Sequence, residues 1–180
     1  MTTRILFSGF GGQGILTLGQ LIATIALNKG KEVTWMPSYG AEMRGGTANC
    51  SVIISDKMIG SPIANTNIDI LCAMNIPSIV KFEDKVRPGG QIFINSSIIK
   101  DGIARTDVDA LHIDASNIAS KVGDLRVANM VMLAGFLQKT NLFTFEDVEE
   151  VLKQRFSGTR NEHLIPLNIE AVKQGMEATV

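Results

Sequence analysis

The sequence is poor in cysteine, histidine and charge, and each scarcity removes a class of chemistry. Two cysteines, Cys50 and Cys72, and two histidines, His112 and His163, stand far apart among 180 residues. A ferredoxin-type cluster needs about four thiolates, usually closely spaced, and a structural zinc site needs a similar density of ligands. Neither can be assembled within this chain, so the cysteines read as buried free thiols in apolar segments. Charged residues make up 19% of the chain, with 17 basic and 18 acidic residues and no bunching of either sign. A nucleic-acid binder carries a basic stripe, and none is present. Long apolar runs are also missing. The longest, Ile15 to Leu27, is interrupted by Thr17, Gly19, Gln20 and Thr24 and falls short of the roughly 20 residues of a membrane span. Met1-Thr2-Thr3-Arg4 leads straight into a strand-like run without a secretory core. These features together read as a cytoplasmic protein that meets neither membrane nor nucleic acid.

What is abundant is hydrophobic residues, 45% of the chain, which suits a sheet buried on both faces or a subunit that hides surface against partners. Arg4 to Ser8 is a short apolar run ending in glycines, as a buried first strand does. Leu18, Leu21, Ile22 and Ile25 recur at helical spacing within a helix expected from about Gly12 to Asn28, stopped by Gly30. Glu32 to Met36 follows as a strand closed by Pro37, completing a right-handed βαβ unit. Further strands are expected at Thr47 to Ile54, with one wetter face, at Asp69 to Met74, at Gln91 to Asn95 and, more weakly, at Leu111 to Ile113. Pro88-Gly89-Gly90 reads as a turn. From Ala115 the pattern is helical: Ala128 to Leu137 is almost wholly apolar, Thr144 and Asp147 form a capping-box start, and a last helix runs from about Asn161 to Gly175. The expected fold is α/β, a single three-layer Rossmann-like domain over residues 1–180, with a mostly parallel sheet and a helical C-terminal part.

Two segments carry the chemistry. Gly9, Gly11, Gly12, Gln13 and Gly14, with Phe10 between, match G-x-G-x-x-G after the first strand and before the first helix. Glycines there admit positive φ and close approach, and helix-start N–H groups favour an anion. The rest of the dinucleotide fingerprint is absent, because the second strand ends Thr34-Trp35-Met36-Pro37-Ser38 without the acid that holds ribose hydroxyls. A tight turn that only packs the helix on the sheet is the competing reading. The second segment is Pro37 to Thr47. It places Tyr39, Glu42 and Arg44 beside Gly45 and Gly46, at the carboxyl edge where open α/β sheets bind ligands. Arg44 suits a forked clamp on phosphate or carboxylate. Equally, Glu42 and Arg44 suit each other as a pair that fixes the loop.

GFGGQG and PSYGAEMRGGTANCSVIIS at this spacing resemble the gamma subunits of 2-oxoacid:ferredoxin oxidoreductases. The likeness continues through Gly60-Ser61-Pro62, Ala73-Met74-Asn75, Pro88-Gly89-Gly90, Gly158 and Asn161. The wording is most like the 2-oxoglutarate branch (2-oxoglutarate synthase), although Ala41 stands where many relatives have proline. The resemblance implies oxidative decarboxylation of a 2-oxoacid to an acyl-coenzyme A thioester, here 2-oxoglutarate to succinyl-CoA, with ferredoxin as electron acceptor. It places thiamine diphosphate, Mg and iron–sulfur clusters on partner chains, namely alpha, beta and, in some members, a ferredoxin-like delta subunit. It assigns this chain no catalytic residue and no metal ligand. Gly9, Gly11, Gly12, Gln13, Gly14, Tyr39, Glu42, Arg44, Gly45 and Gly46 are expected at a coenzyme A or subunit-contact site. Pyruvate or branched-chain substrates, a free-standing nucleotide-binding protein, and a homodimer of the isolated chain remain open alternatives.

Overall fold

A computed structural model describes residues 1–39 and 47–178; at Tyr39 and Thr47 only the backbone is described. Among the described residues six strands form one sheet in the order β2-β3-β1-β4-β5-β6. They are β1 (Thr2–Phe10), β2 (Glu32–Tyr39), β3 (Thr47–Ser55), β4 (Ile68–Ala73), β5 (Val86–Asn95) and β6 (Asp109–Ile113). β1, β4, β5 and β6 are parallel neighbours. β3 lies antiparallel between β1 and β2, so β2 runs in the direction of β1 without touching it. The sheet is mostly parallel, as the apolar runs suggested. The βαβ unit is opened by one inserted strand.

Helix α1 (Ile15–Asn28) and the C-terminal helices α3 (Ala115–Val122), α4 (Ala128–Thr140), α5 (Phe145–Phe156) and α6 (Ile165–Ala178) share one core with the side chains of Ile5, Phe7, Cys50, Val52 and Phe93. Among the described residues the other face carries α2 (Ile76–Phe82) and loops, over Leu6, Leu71, Ile92 and Ile94. Alternation along each strand divides these sets, since successive side chains point to opposite faces. α4 is buried from Ala128 to Leu137, in line with its unbroken apolar stretch. Thr144 and Asp147 make the reciprocal capping box at the start of α5.

Three expectations are corrected. Pro37 does not close β2, which continues to Tyr39 with Pro37 opposite Cys50. β2 is an edge strand, and an edge tolerates a residue with no N–H to give. Pro88-Gly89-Gly90 is not a turn between elements. It lies inside β5, where Val86 pairs with Ile68 but Gln91 with Ile70, so residues 87–90 bulge from the ladder. The wetter face of β3 is largely covered: Ser51 and Ser55 are buried. The Ser51 hydroxyl accepts the Ala64 N–H at 2.6 Å, and Ser55 accepts that of Lys57 at 3.1 Å. Among the described residues no helix is long and apolar enough to cross a membrane.

Candidate functional site

The glycine turn joins β1 to α1 at the carboxyl edge, between the start of β3 and the end of β4. Phe10 pairs with Thr47, and Tyr39 with Ala48, so the end of β2 and the start of β3 lie beside the turn. The described ends of the second segment singled out from the sequence therefore stand on the same rim as the first. Gly9 lies within β1, Gly11, Gly12 and Gln13 form the turn, Gly14 caps α1, and Tyr39 ends β2. Glu42, Arg44, Gly45 and Gly46 lie outside the described residues.

The turn is held by its own side chain. The Phe10 N–H donates to Gln13 Oε1 at 2.6 Å, and Gln13 Nε2 donates to the Met74 carbonyl, just past β4, at 3.2 Å. The backbone adds Gln13 N–H to Phe10 C=O at 3.1 Å and Met74 N–H to Ser8 C=O at 2.9 Å. Gly9 makes room for this brace, because a Cβ there would come within 2.7 Å of Gln13 Oε1. On the opposite side Asn129 of α4 donates from Nδ2 to the Gly14 carbonyl at 3.1 Å and accepts the Met130 N–H at 2.9 Å. Gly14 has φ 71°, a left-handed conformation that glycine adopts without strain, and Asn129 fills the space a side chain would need. Among the described residues the N–H groups of Gly11, Gly12 and Gly14 have no hydrogen-bond partner. They crown a braced, exposed tip.

A cavity of about 220 Å³ opens beside this tip, lined by Gly12, Gly14, Thr17, Arg126, Asn129 and Asn168 among others. It is smaller than the roughly 300–1,000 Å³ of a whole small-molecule site, so it holds part of a ligand at most. Arg126 is its cation. The guanidinium donates from Nη2 to Asp124 Oδ2 at 2.6 Å, and that hydrogen bond holds the Asp124 carboxyl below its usual range. Sequence reasoning missed Asn129, Arg126 and Asn168, since nothing local marks a residue that meets the turn from more than a hundred positions away. The cysteines are distant from the rim in character. Burial pushes both thiols up to about 12, with Trp35 beside Cys50 pulling slightly the other way. Among the described residues no three His, Cys, Asp or Glu side chains gather where a metal ion could bind.

Residues 4–178 match the family described as pyruvate ferredoxin/flavodoxin oxidoreductase. The ketoisovalerate oxidoreductase subunit VorA of Methanothermobacter thermautotrophicus is 38% identical over 176 residues, 97% of this chain and 36% of the relative. The chain thus spans about a third of that protein's length. The gamma subunit of a keto/oxoacid ferredoxin oxidoreductase from Geobacter sulfurreducens superposes with a TM-score of 0.83 at 28% identity, covering 98% of each chain. A 2-oxoglutarate:ferredoxin oxidoreductase from Magnetococcus marinus, solved with 2-oxoglutarate, coenzyme A and succinyl-CoA bound, gives 0.85 at 28% identity. It matches 99% of this chain and 31% of its own.

Proposed function

We propose that this chain, which belongs to the pyruvate ferredoxin/flavodoxin oxidoreductase family, works as the gamma subunit of a thiamine diphosphate-dependent 2-oxoacid:ferredoxin oxidoreductase. In this reading thiamine diphosphate, Mg and iron–sulfur clusters reside on alpha, beta and, where present, delta chains. The gamma chain contributes assembly and part of the access route for coenzyme A. The cofactor on the partner chains supplies the carbanion chemistry, and no side chain here is asked to act as nucleophile or base.

The braced glycine tip carries the reading. Three N–H groups without a partner among the described residues, at the start of a 14-residue helix, suit a phosphate oxygen, and the adjoining cavity holds the Arg126 guanidinium beside its partner Asp124. Arg44, five residues past the end of β2 and three before β3, belongs to the segment that joins those two strands. Gln13 argues against a nicotinamide dinucleotide, because its side chain occupies the Phe10 N–H at the heart of the turn. The relatives include ketoisovalerate and 2-oxoglutarate enzymes. We favour 2-oxoglutarate, converted to succinyl-CoA, on the wording of the two rim segments, with a branched-chain 2-oxoacid as the second reading on the 38% match.

The test is Arg44→Ala in the assembled complex. A raised apparent KM for coenzyme A, with the KM for the 2-oxoacid unchanged, is the expected outcome. An unchanged constant in an intact complex removes the coenzyme A role, and a complex that no longer assembles assigns Arg44 to subunit contact.

A further inference from the structure

Asp124, Arg126, Val127 and Asn129 all line the cavity beside the glycine tip, and all belong to one short arm that joins α3 to α4. Within the arm, Asp124 organises Arg126. Asp124 Oδ1 accepts the Arg126 N–H at 2.9 Å, and the guanidinium returns to the same carboxylate, with Nη2 on Oδ2 at 2.6 Å. The Arg126 side chain is 78% exposed, so packing adds little to its placement. These bonds fix the guanidinium to the arm. They do not fix the arm to the glycine turn.

That tie is Asn129. Among the described residues no other hydrogen bond joins the arm to the turn than the one from Asn129 Nδ2 to the Gly14 carbonyl. The same carbonyl accepts the Leu18 N–H at 3.0 Å, so the amide and the opening bond of α1 share its two lone pairs. Asn129 Oδ1 is taken by the Met130 N–H, which leaves Nδ2, the donor, for Gly14. At 5% exposure Asn129 is a fastening inside the wall of the cavity, whereas Arg126 and the tip N–H groups face outward. Gly14 is shaped for it, since a side chain there would displace the amide.

We propose that Asn129 is a positioning residue for coenzyme A: by pinning the arm to Gly14, it holds the Arg126 guanidinium and the tip N–H groups at one separation across the cavity. The inference rests on the coenzyme A reading of the rim and deepens it, naming what keeps the two halves of the site in register. A phosphate that meets a cation and a helix start together gains from both only while their spacing suits it. An arm that has to be ordered on binding loses part of that gain. Asn129 touches no ligand in this account; its effect passes through Arg126 and Gly14.

Asn129→Asp in the assembled complex tests it, because the variant keeps the size of the side chain and the acceptor for Met130 but loses the donor to Gly14. The KM for coenzyme A should rise about tenfold, with kcat and the KM for the 2-oxoacid unchanged. Asn129→Leu, of similar size and without charge, should give the same split, and it decides the matter if the carboxylate variant does not assemble. Arg126→Gln should raise the same constant, and in the double variant the two effects should fall short of their sum, since both act through one guanidinium. An unchanged coenzyme A constant in the Asn129 variants, beside a raised one in Arg126→Gln, overturns the positioning role and leaves the coenzyme A reading standing. A fall in kcat with a rise in both KM values, or full additivity with Arg126→Gln, makes Asn129 a packing residue and also overturns it. An unchanged constant in Arg126→Gln removes the cavity from the coenzyme A route, and both readings fall.

Discussion

Gln13 is the residue whose removal reports most directly on how the rim is built. Its side chain makes two hydrogen bonds, one to each side of the β1–β4 junction. Gln13→Ala deletes both and leaves a part-buried N–H and carbonyl with no protein partner. At about 1 kcal/mol for each lost bond the expected destabilisation is about 2 kcal/mol. For a chain of this size 1 kcal/mol corresponds to about 2–4 °C, so the midpoint should fall by about 4–8 °C in calorimetry. Gln13→Glu refines the argument. It keeps an acceptor for Phe10 but sets a carboxylate oxygen where the amide donated to Met74. If the brace is the cause, both variants lose stability. If Gln13 merely fills space, the near-isosteric Glu behaves like wild type and only Ala falls. A midpoint within about 1 °C of wild type for Gln13→Ala would refute the brace, since two bonds of ordinary strength predict several times that shift.

Three further outcomes follow from the geometry. Cys50 and Cys72, held to about 12 by burial, should resist a thiol reagent at pH 8 in the native protein and react only on unfolding; native-state labelling would contradict their packing. Thr144→Ala removes the side-chain half of the α5 capping box and should cost about 1 kcal/mol in denaturant unfolding, with no effect on coenzyme A kinetics. Asp124, whose carboxyl is lowered by its hydrogen bond to Arg126, contributes stability that is complete above the unfolded value of about 3.9 and is lost as pH falls through the lower native value. A carboxyl titration by NMR at or above 3.9, or no difference from Arg126→Gln in that range, would dissolve the pair.

Much of the architecture is legible in the sequence because its signals are local. Alternation and short apolar runs locate β1, β3, β4 and β5, the spacing of Leu18, Leu21, Ile22 and Ile25 locates α1, and Thr144 with Asp147 marks the start of α5. What escaped depends on neighbours in space. Pro37 reads as a stop until β2 is known to have a free edge, and Pro88 to Gly90 reads as a turn until Ile68 and Ile70 fix the register around it. The insertion of β3 between β1 and β2 has no local signature, because an antiparallel and a parallel neighbour bury the same apolar alternation. At the rim, the glycines and Gln13 are visible as a motif, but the function of Gln13 depends on Met74 and that of Gly14 on Asn129, 61 and 115 positions away.

Pro37 bears on how such a chain avoids pairing with its own copies. A flat outer strand offers a row of unused amides to any passing strand, and that is how sheets polymerise. β2 meets this hazard with an imide in its own ladder, at a point where an incoming strand would seek a donor and find a ring. A chain rich in hydrophobic residues thus has a sheet border that discourages indiscriminate stacking.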